Sequence, residues 1–108
     1  MVVVDSSILI PLLRTGNLLL LKKYYTQIKI TNEIYNELKS GIGFDEVEKA
    51  CTEWINISEP KTANEVKKLS ESEKITIADA SIINLSYENN EELISNDYVL
   101  ILVAKSKG

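Results

Sequence analysis

The sequence holds no histidine and one cysteine, Cys51, among 108 residues. Those absences exclude whole chemistries. Without histidine there is no Ser-His-Asp triad, no Cys/His nucleophile pair and no conventional zinc site, and a lone cysteine cannot close an intramolecular disulfide. Long hydrophobic runs are missing too: the longest unbroken apolar stretch, residues 98–104, is far short of a bilayer span. The opening MVVVDSS has no basic segment ahead of its apolar residues and no small-residue cleavage site after a long one, so it does not resemble a signal peptide. A cytoplasmic location with no membrane partner is the expectation. A basic excess is also absent. With 16 acidic and 12 basic side chains the formal net charge is −4, which argues against gripping nucleic acid through a generally basic surface but leaves room for a local basic patch. Any chemistry falls to carboxylates, hydroxyls, lysines or a hard metal.

The length suits one domain, because two would each be too small to bury a core, and 44% apolar residues is a globular composition. Val2, Val3 and Val4 form a β-branched run that stops at Asp5-Ser6-Ser7, the pattern of a strand buried on both faces followed by a helix cap. Residues 8–14 are helix-compatible, with Pro11 in or next to the first turn, and Gly16 ends that helix before Asn17 caps the next, over 18–25. Residues 27–30 lean to strand, and Thr31 caps a helix carrying Ile34 and Leu38 on one face, with Glu33 and Glu37 on a neighbouring stripe. Further helices are expected over 45–52, 62–69 and 76–87, the last offering Ile77, Ala80 or Ile83, and Leu85 to the core, with strands over 54–57 and 92–95. The tail from Tyr98 reads either way. YVLILVA has strand propensity, yet an Asn-Asp start and Lys105 and Lys107 at the end equally suit a capped helix. Strands alternating with helices predict an α/β sandwich on a parallel sheet.

The chain has four aspartates, and three of them, Asp5, Asp79 and Asp97, sit beside apolar segments instead of on charged faces. Asp5 and Asp97 end strands; Asp79 lies in the first turn of an apolar helix. Each alone is explained by capping or by the helix dipole. Together they suggest more, since strand ends of a parallel sheet share one edge, with a crevice where the strand order reverses. Clustered carboxylates raise one another's pKa unless a cation is present, and an oxygen-only donor set selects Mg²⁺ or Mn²⁺ over zinc or copper.

The stretches VVVDSSILI, ITNEIYNEL, ITIADASIINLS and ELISNDYVLILVAKSKG resemble, in that order and over essentially the whole chain, the PIN-domain nucleases. The resemblance implies a three-layer α/β/α sandwich with a four- to five-stranded, mainly parallel sheet, a helical tail, and one domain spanning residues 1–108. Members commonly carry a further short edge strand after a segment like AKSKG, where this sequence stops, so the expectation is either a reduced domain without the last edge strand or a truncated chain. The resemblance also implies four metal-binding catalytic acids, which fall on Asp5, Glu37, Asp79 and Asp97. Glu37 is preferred to Glu33 because Leu38 follows it directly, and Ser7 matches the small hydroxyl residue that helps orient the site.

The activity implied is Mg²⁺- or Mn²⁺-dependent hydrolysis of RNA phosphodiesters in single-stranded or loop regions, with frequent homodimerisation. The role met most often in the family is the VapC-like toxin ribonuclease of a toxin–antitoxin pair, blocked by a small antitoxin protein. A ribosomal-RNA maturation nuclease is an alternative, although the cysteines of the zinc ribbon that often accompanies those enzymes are missing. A PIN-like module that binds RNA or protein without cutting is a second, which the retained set of four acids disfavours. A phospho-receiver domain is more remote, since Asp5 stands alone where an acidic pair belongs. Lys39, Lys105 and Lys107 can neutralise phosphates but read first as solvated charge. Tyr24, Tyr25 and Tyr98 can stack on bases but read first as half-buried packing residues. Leu18 to Leu21 are core first, and any exposed remainder marks an interaction surface.

Overall fold

The computed structural model describes residues 1–107. Its elements follow in the order β1 (Val2–Val4), α1 (Ser6–Arg14), α2 (Leu18–Tyr24), β2 (Ile28–Ile30), α3 (Asn32–Lys39), α4 (Phe44–Cys51), β3 (Ile55–Ile57), α5 (Ala63–Glu73), α6 (Ile77–Asn89), β4 (Leu93–Ile94) and α7 (Tyr98–Lys107). The strands form one parallel sheet in the order β3-β2-β1-β4, with Val3 beside both Lys29 and Leu93. Among the described residues the sheet has four strands, the lower of the two numbers expected.

Successive residues of a strand face opposite sides of the sheet. Val3 and Val4 are both fully buried, so both faces at β1 are covered. The topology explains how. From β1 through β2 to β3 the chain steps one way across the sheet, and from β3 to β4 it returns past β1. Right-handed crossovers therefore put α1 to α4 on one face and α5 and α6 on the other. In agreement, α1 packs on α2 and α3, whereas α6 packs on β1, β4, α5 and α7, and meets α3 where Thr31 follows the end of β2. This is the three-layer α/β/α sandwich. The reversal of direction lies between β1 and β4, so the crevice of an open parallel sheet falls where β1 and β4 end.

Several local expectations are corrected. Helix α1 begins at Ser6, directly behind its cap Asp5, so Pro11 sits in the second turn and not beside the first; its ring has no N–H to give the Ser7 carbonyl. Asn17 occupies the N-cap of α2 without a side-chain capping bond, its backbone at φ −113 and ψ 19 lying outside the extended region of a capping residue, and its Nδ2 donates to Thr15 Oγ1 at 2.9 Å. Ile77 is exposed, while Ala80 and every residue from Ser81 to Ser86 are buried. Helix α6 is enclosed by sheet and helices over that stretch, so no single apolar stripe describes it. The ambiguous tail is helical, with Asp97 Oδ1 accepting the Leu100 amide at 3.2 Å. Tyr24 and Tyr98 are 81% and 73% exposed and do not pack as half-buried residues; only Tyr25 does. Leu18 and Leu21 enter the core, but Leu19 and Leu20 face outward.

Candidate active site

Asp5 follows the last residue of β1 and is almost wholly buried. A buried carboxylate needs donors. Its Oδ1 accepts the Ser6 amide at 2.8 Å, the N-cap bond of α1, and its Oδ2 accepts the hydroxyls of Ser7 at 2.7 Å and Ser95 at 2.9 Å. The two hydroxyls lie 3.2 Å apart, but each has its one proton committed to Asp5, so their approach is a contact and not a third bond. Both then act as acceptors, Ser7 Oγ for the Asn96 amide at 2.8 Å and Ser95 Oγ for the Asp97 amide at 3.0 Å. With the Asp5 amide donating to the Ile94 carbonyl at 2.9 Å, three hydrogen bonds join the ends of β1 and β4.

Asp97 stands beyond β4 and starts α7, one oxygen turned to the Leu100 amide. Asp79 lies in the first turn of α6, its amide held by the Thr76 hydroxyl at 3.0 Å. Glu37 is an exposed residue of the second turn of α3 and lines a hollow with Arg14 at the end of α1. Helix α3 is fixed against α6 by a buried hydroxyl pair. Ser81 Oγ donates to the Ala78 carbonyl at 2.7 Å, so Thr31, the N-cap of α3, is the donor in their 2.8 Å contact.

The electrostatics link the four acids. Burial pushes the Asp79 carboxyl above its ordinary range; the charge of Asp5 adds to this, the Thr76 hydrogen bond opposes it, and Asp97 and Glu37 push upward again. Asp79 therefore feels all three of the other acids, and of the Glu33 and Glu37 pair it feels Glu37. Glu33 lies elsewhere, its Oε2 buried without a hydrogen-bond partner and its side chain on the wall of a separate pocket with Glu59 and Ser81. Like charges act over several ångströms, whereas coordination needs oxygens gathered around one point. Among the described residues no three His, Cys, Asp or Glu groups are gathered closely enough to hold a metal ion as they stand. Asp79 senses the charges of Asp5, Asp97 and Glu37, but the four are not gathered around one point. Their chemistry still fits a hard divalent ion: all donors are oxygen, one is anchored by serines, and one is pushed above its ordinary range by burial and by the charges of the rest.

A family model described as DUF3368, a PIN domain, matches residues 1–108. The chain belongs to the PIN-domain family. PIN domains are generally nucleases, hydrolases that act on nucleic acid, and typically use divalent metals. No curated protein and no solved structure matches the chain.

Within this PIN domain, Ser95 is the site residue that sequence reading missed. Its signal was the serine two positions before Asp97, the mirror image of Ser7 two positions after Asp5. Of the lysines considered for phosphate contact, Lys39 and Lys107 rest over the rings of Tyr35 and Tyr87, at 5.8 and 4.9 Å from their centroids. Lys105 borders a shallow groove with Leu93, Ile101 and Ala104. No helix among the described residues is long and apolar enough to cross a membrane.

Proposed function

We propose that this PIN domain is a Mg²⁺- or Mn²⁺-dependent endoribonuclease that hydrolyses phosphodiester bonds in single-stranded or loop regions of RNA. The observation that carries the reading is the joining of the Asp5 and Asp97 segments through Ser7 and Ser95 where the strand order reverses, with the Asp79 carboxyl pushed up by burial and by the charges of Asp5, Asp97 and Glu37. Such repulsion costs stability and is kept where a cation offsets it. Asp5, Glu37, Asp79 and Asp97 would hold the ion. A divalent metal supplies neutralisation of phosphate charge and activation of water for attack on phosphorus.

The chain's own residues supply position and charge. Asp5, tied by Ser7, Ser95 and the Ser6 amide, is the fixed member against which the others are set. Asp97 keeps one oxygen on the Leu100 amide and has a second for a ligand. Asp79, pushed above its ordinary range by burial and by the charges of Asp5, Asp97 and Glu37, is a member whose charge a bound cation would relieve.

For biological role we propose the toxin of a toxin–antitoxin pair. Leu19, Leu20 and Tyr24, at 64%, 43% and 81% exposure on one short helix, support a protein partner, either an antitoxin or a second copy of the chain.

The test is a fluorescent single-stranded RNA incubated with EDTA or with Mn²⁺. Cleavage is expected with Mn²⁺, none with EDTA, and none from Asp5→Asn or Asp97→Asn. Robust cutting by both variants overturns the assignment, and RNA binding without cleavage under any divalent ion points to a non-cleaving module. Growth arrest on expression, relieved by the product of a short neighbouring reading frame, supports the toxin role; no inhibition of growth favours a processing nuclease.

A further inference from the structure

Arg14 is the only arginine in the chain. It ends α1 and is exposed, the usual setting for a cation that complements the last carbonyls of a helix. That role is already filled. Pro11 O accepts the Thr15 amide at 3.2 Å and the Thr15 hydroxyl at 2.9 Å, Leu12 O accepts the Asn17 amide at 2.7 Å, and Leu13 O accepts the Gly16 amide at 3.2 Å. Nor does Arg14 take part in any ion pair found among the described residues. Its guanidinium, five donors in a planar fork, has no assigned partner.

What Arg14 borders is the hollow of about 350 Å³ that it shares with Glu37. Glu37 is likewise absent from the ion pairs, so the acid and the guanidinium line one space more than 4.0 Å apart, unpaired. The walls of that space are held firmly. Gly43, at φ +83, lies so close to α1 that a Cβ there would meet Leu13 Cδ2 at 3.1 Å. The loop between α3 and α4 is thereby seated on the residue preceding Arg14, and Ile42 at its tip stands 71% exposed at the rim.

We infer that Arg14 grips a backbone phosphate of the RNA strand in the hollow that it shares with Glu37. A guanidinium with no ion-pair partner, in a chain of net charge −4, supplies the local positive charge that a polyanion needs to approach. Its fork matches two phosphate oxygens, a geometry lysine lacks. The inference rests on the ribonuclease reading for its substrate class, but it is a statement about binding and is tested as such.

The test measures anisotropy of a fluorescein-labelled single-stranded RNA with the full chain in EDTA, over a range of salt concentrations. Arg14→Ala is expected to weaken binding about tenfold and to lower the slope of log K against log salt by about one contact, while Arg14→Lys restores the slope but only part of the affinity. Lys68→Ala, at a distant exposed position on α5, is expected to leave both unchanged. With Mn²⁺, Arg14→Ala is expected to raise KM and leave kcat within about threefold. Wild-type affinity and slope in Arg14→Ala overturn the inference, as does a wild-type protein that binds no RNA. Arg14-dependent binding without cleavage sinks the nuclease reading and leaves the role of Arg14 standing.

Discussion

The Ser95 hydroxyl donates to Asp5 Oδ2 at 2.9 Å across 90 positions of sequence, and in the same geometry accepts the Asp97 amide at 3.0 Å. One small side chain thus sets two of the four acids relative to each other. Ser95→Ala removes a donor from a buried carboxylate and an acceptor from a backbone amide. It is expected to cost about 1–2 kcal/mol of stability and roughly 10- to 100-fold in Mn²⁺ affinity or cleavage rate. Thermal melting with and without Mn²⁺ separates the two effects, and Ser95→Thr, which keeps the hydroxyl, should recover metal affinity.

Asp79→Asn is expected to stabilise the metal-free protein at neutral pH. The folded-state pKa of Asp79 lies above its ordinary 3.8. Its contribution therefore favours folding below that value and is lost as pH rises through the folded value, leaving a repulsive charge at pH 7. In EDTA the melting temperature of the variant should exceed that of the wild type by a few degrees at pH 7, and the gain should vanish near pH 3. Addition of Mn²⁺ should raise the wild type and leave the variant little changed. A variant less stable than wild type in EDTA at pH 7 refutes the repulsion.

Lys29 and Glu91 have the opposite sign. Burial alone would raise the Glu91 carboxyl, but the 2.6 Å bond and the charge of Lys29, with the Met1 ammonium, hold it below its ordinary 4.5. The stabilisation is present above 4.5 and is lost as pH falls through the folded value. Lys29→Met should cost on the order of 1–2 kcal/mol at pH 7, discounted for partial exposure, and the deficit should shrink as the solution is acidified below pH 4. Urea unfolding at several pH values measures it.

Gly16 and Gly43 share a left-handed backbone, at φ +70 and +83, but differ in surroundings. A Cβ at Gly16 meets nothing within 4 Å, whereas one at Gly43 presses on the Cδ2, Cβ and carbonyl of Leu13. Gly16→Ala should cost about 1–2 kcal/mol, the backbone term alone. Gly43→Ala should cost more than Gly16→Ala, and should also weaken RNA binding through the displaced wall of the Arg14 hollow.

The sheet was legible because its signals are local. Val2 to Val4, Ile28 and Ile30, and Ile55 and Ile57 are β-branched runs, and each strand lies within a residue of its expected span. Helix starts at Thr31 and Thr76 were legible for the same reason, since each hydroxyl caps an amide three residues on. Partnership between distant segments was not. Ser95 is an ordinary strand-end serine until β4 is laid beside β1, and Asn17 looks like a cap until its backbone is seen outside the extended region, at φ −113 and ψ 19. Ile77 and Tyr98 show the limit of hydropathy: both adjoin apolar runs, and both face outward because helix rotation is set by what the neighbouring elements cover. The order of the four acids along the chain was readable; the spacing between their oxygens is a property of the assembled crevice.

The strand order has a consequence in time. β1 is made before β4, so its Asp5 meets Ser95 only after β4 has been made, and among the described residues β4 has β1 as its one neighbour in the sheet. Contacts of such long sequence separation form late, because the intervening chain must be ordered before they are rewarded. A nascent chain still lacking its last fifth has Asp5 without the Ser95 donor and an edge where β4 belongs. On the proposed reading, a chain that lacks residues 93–107 has neither Ser95 nor Asp97 and is expected to cleave no RNA.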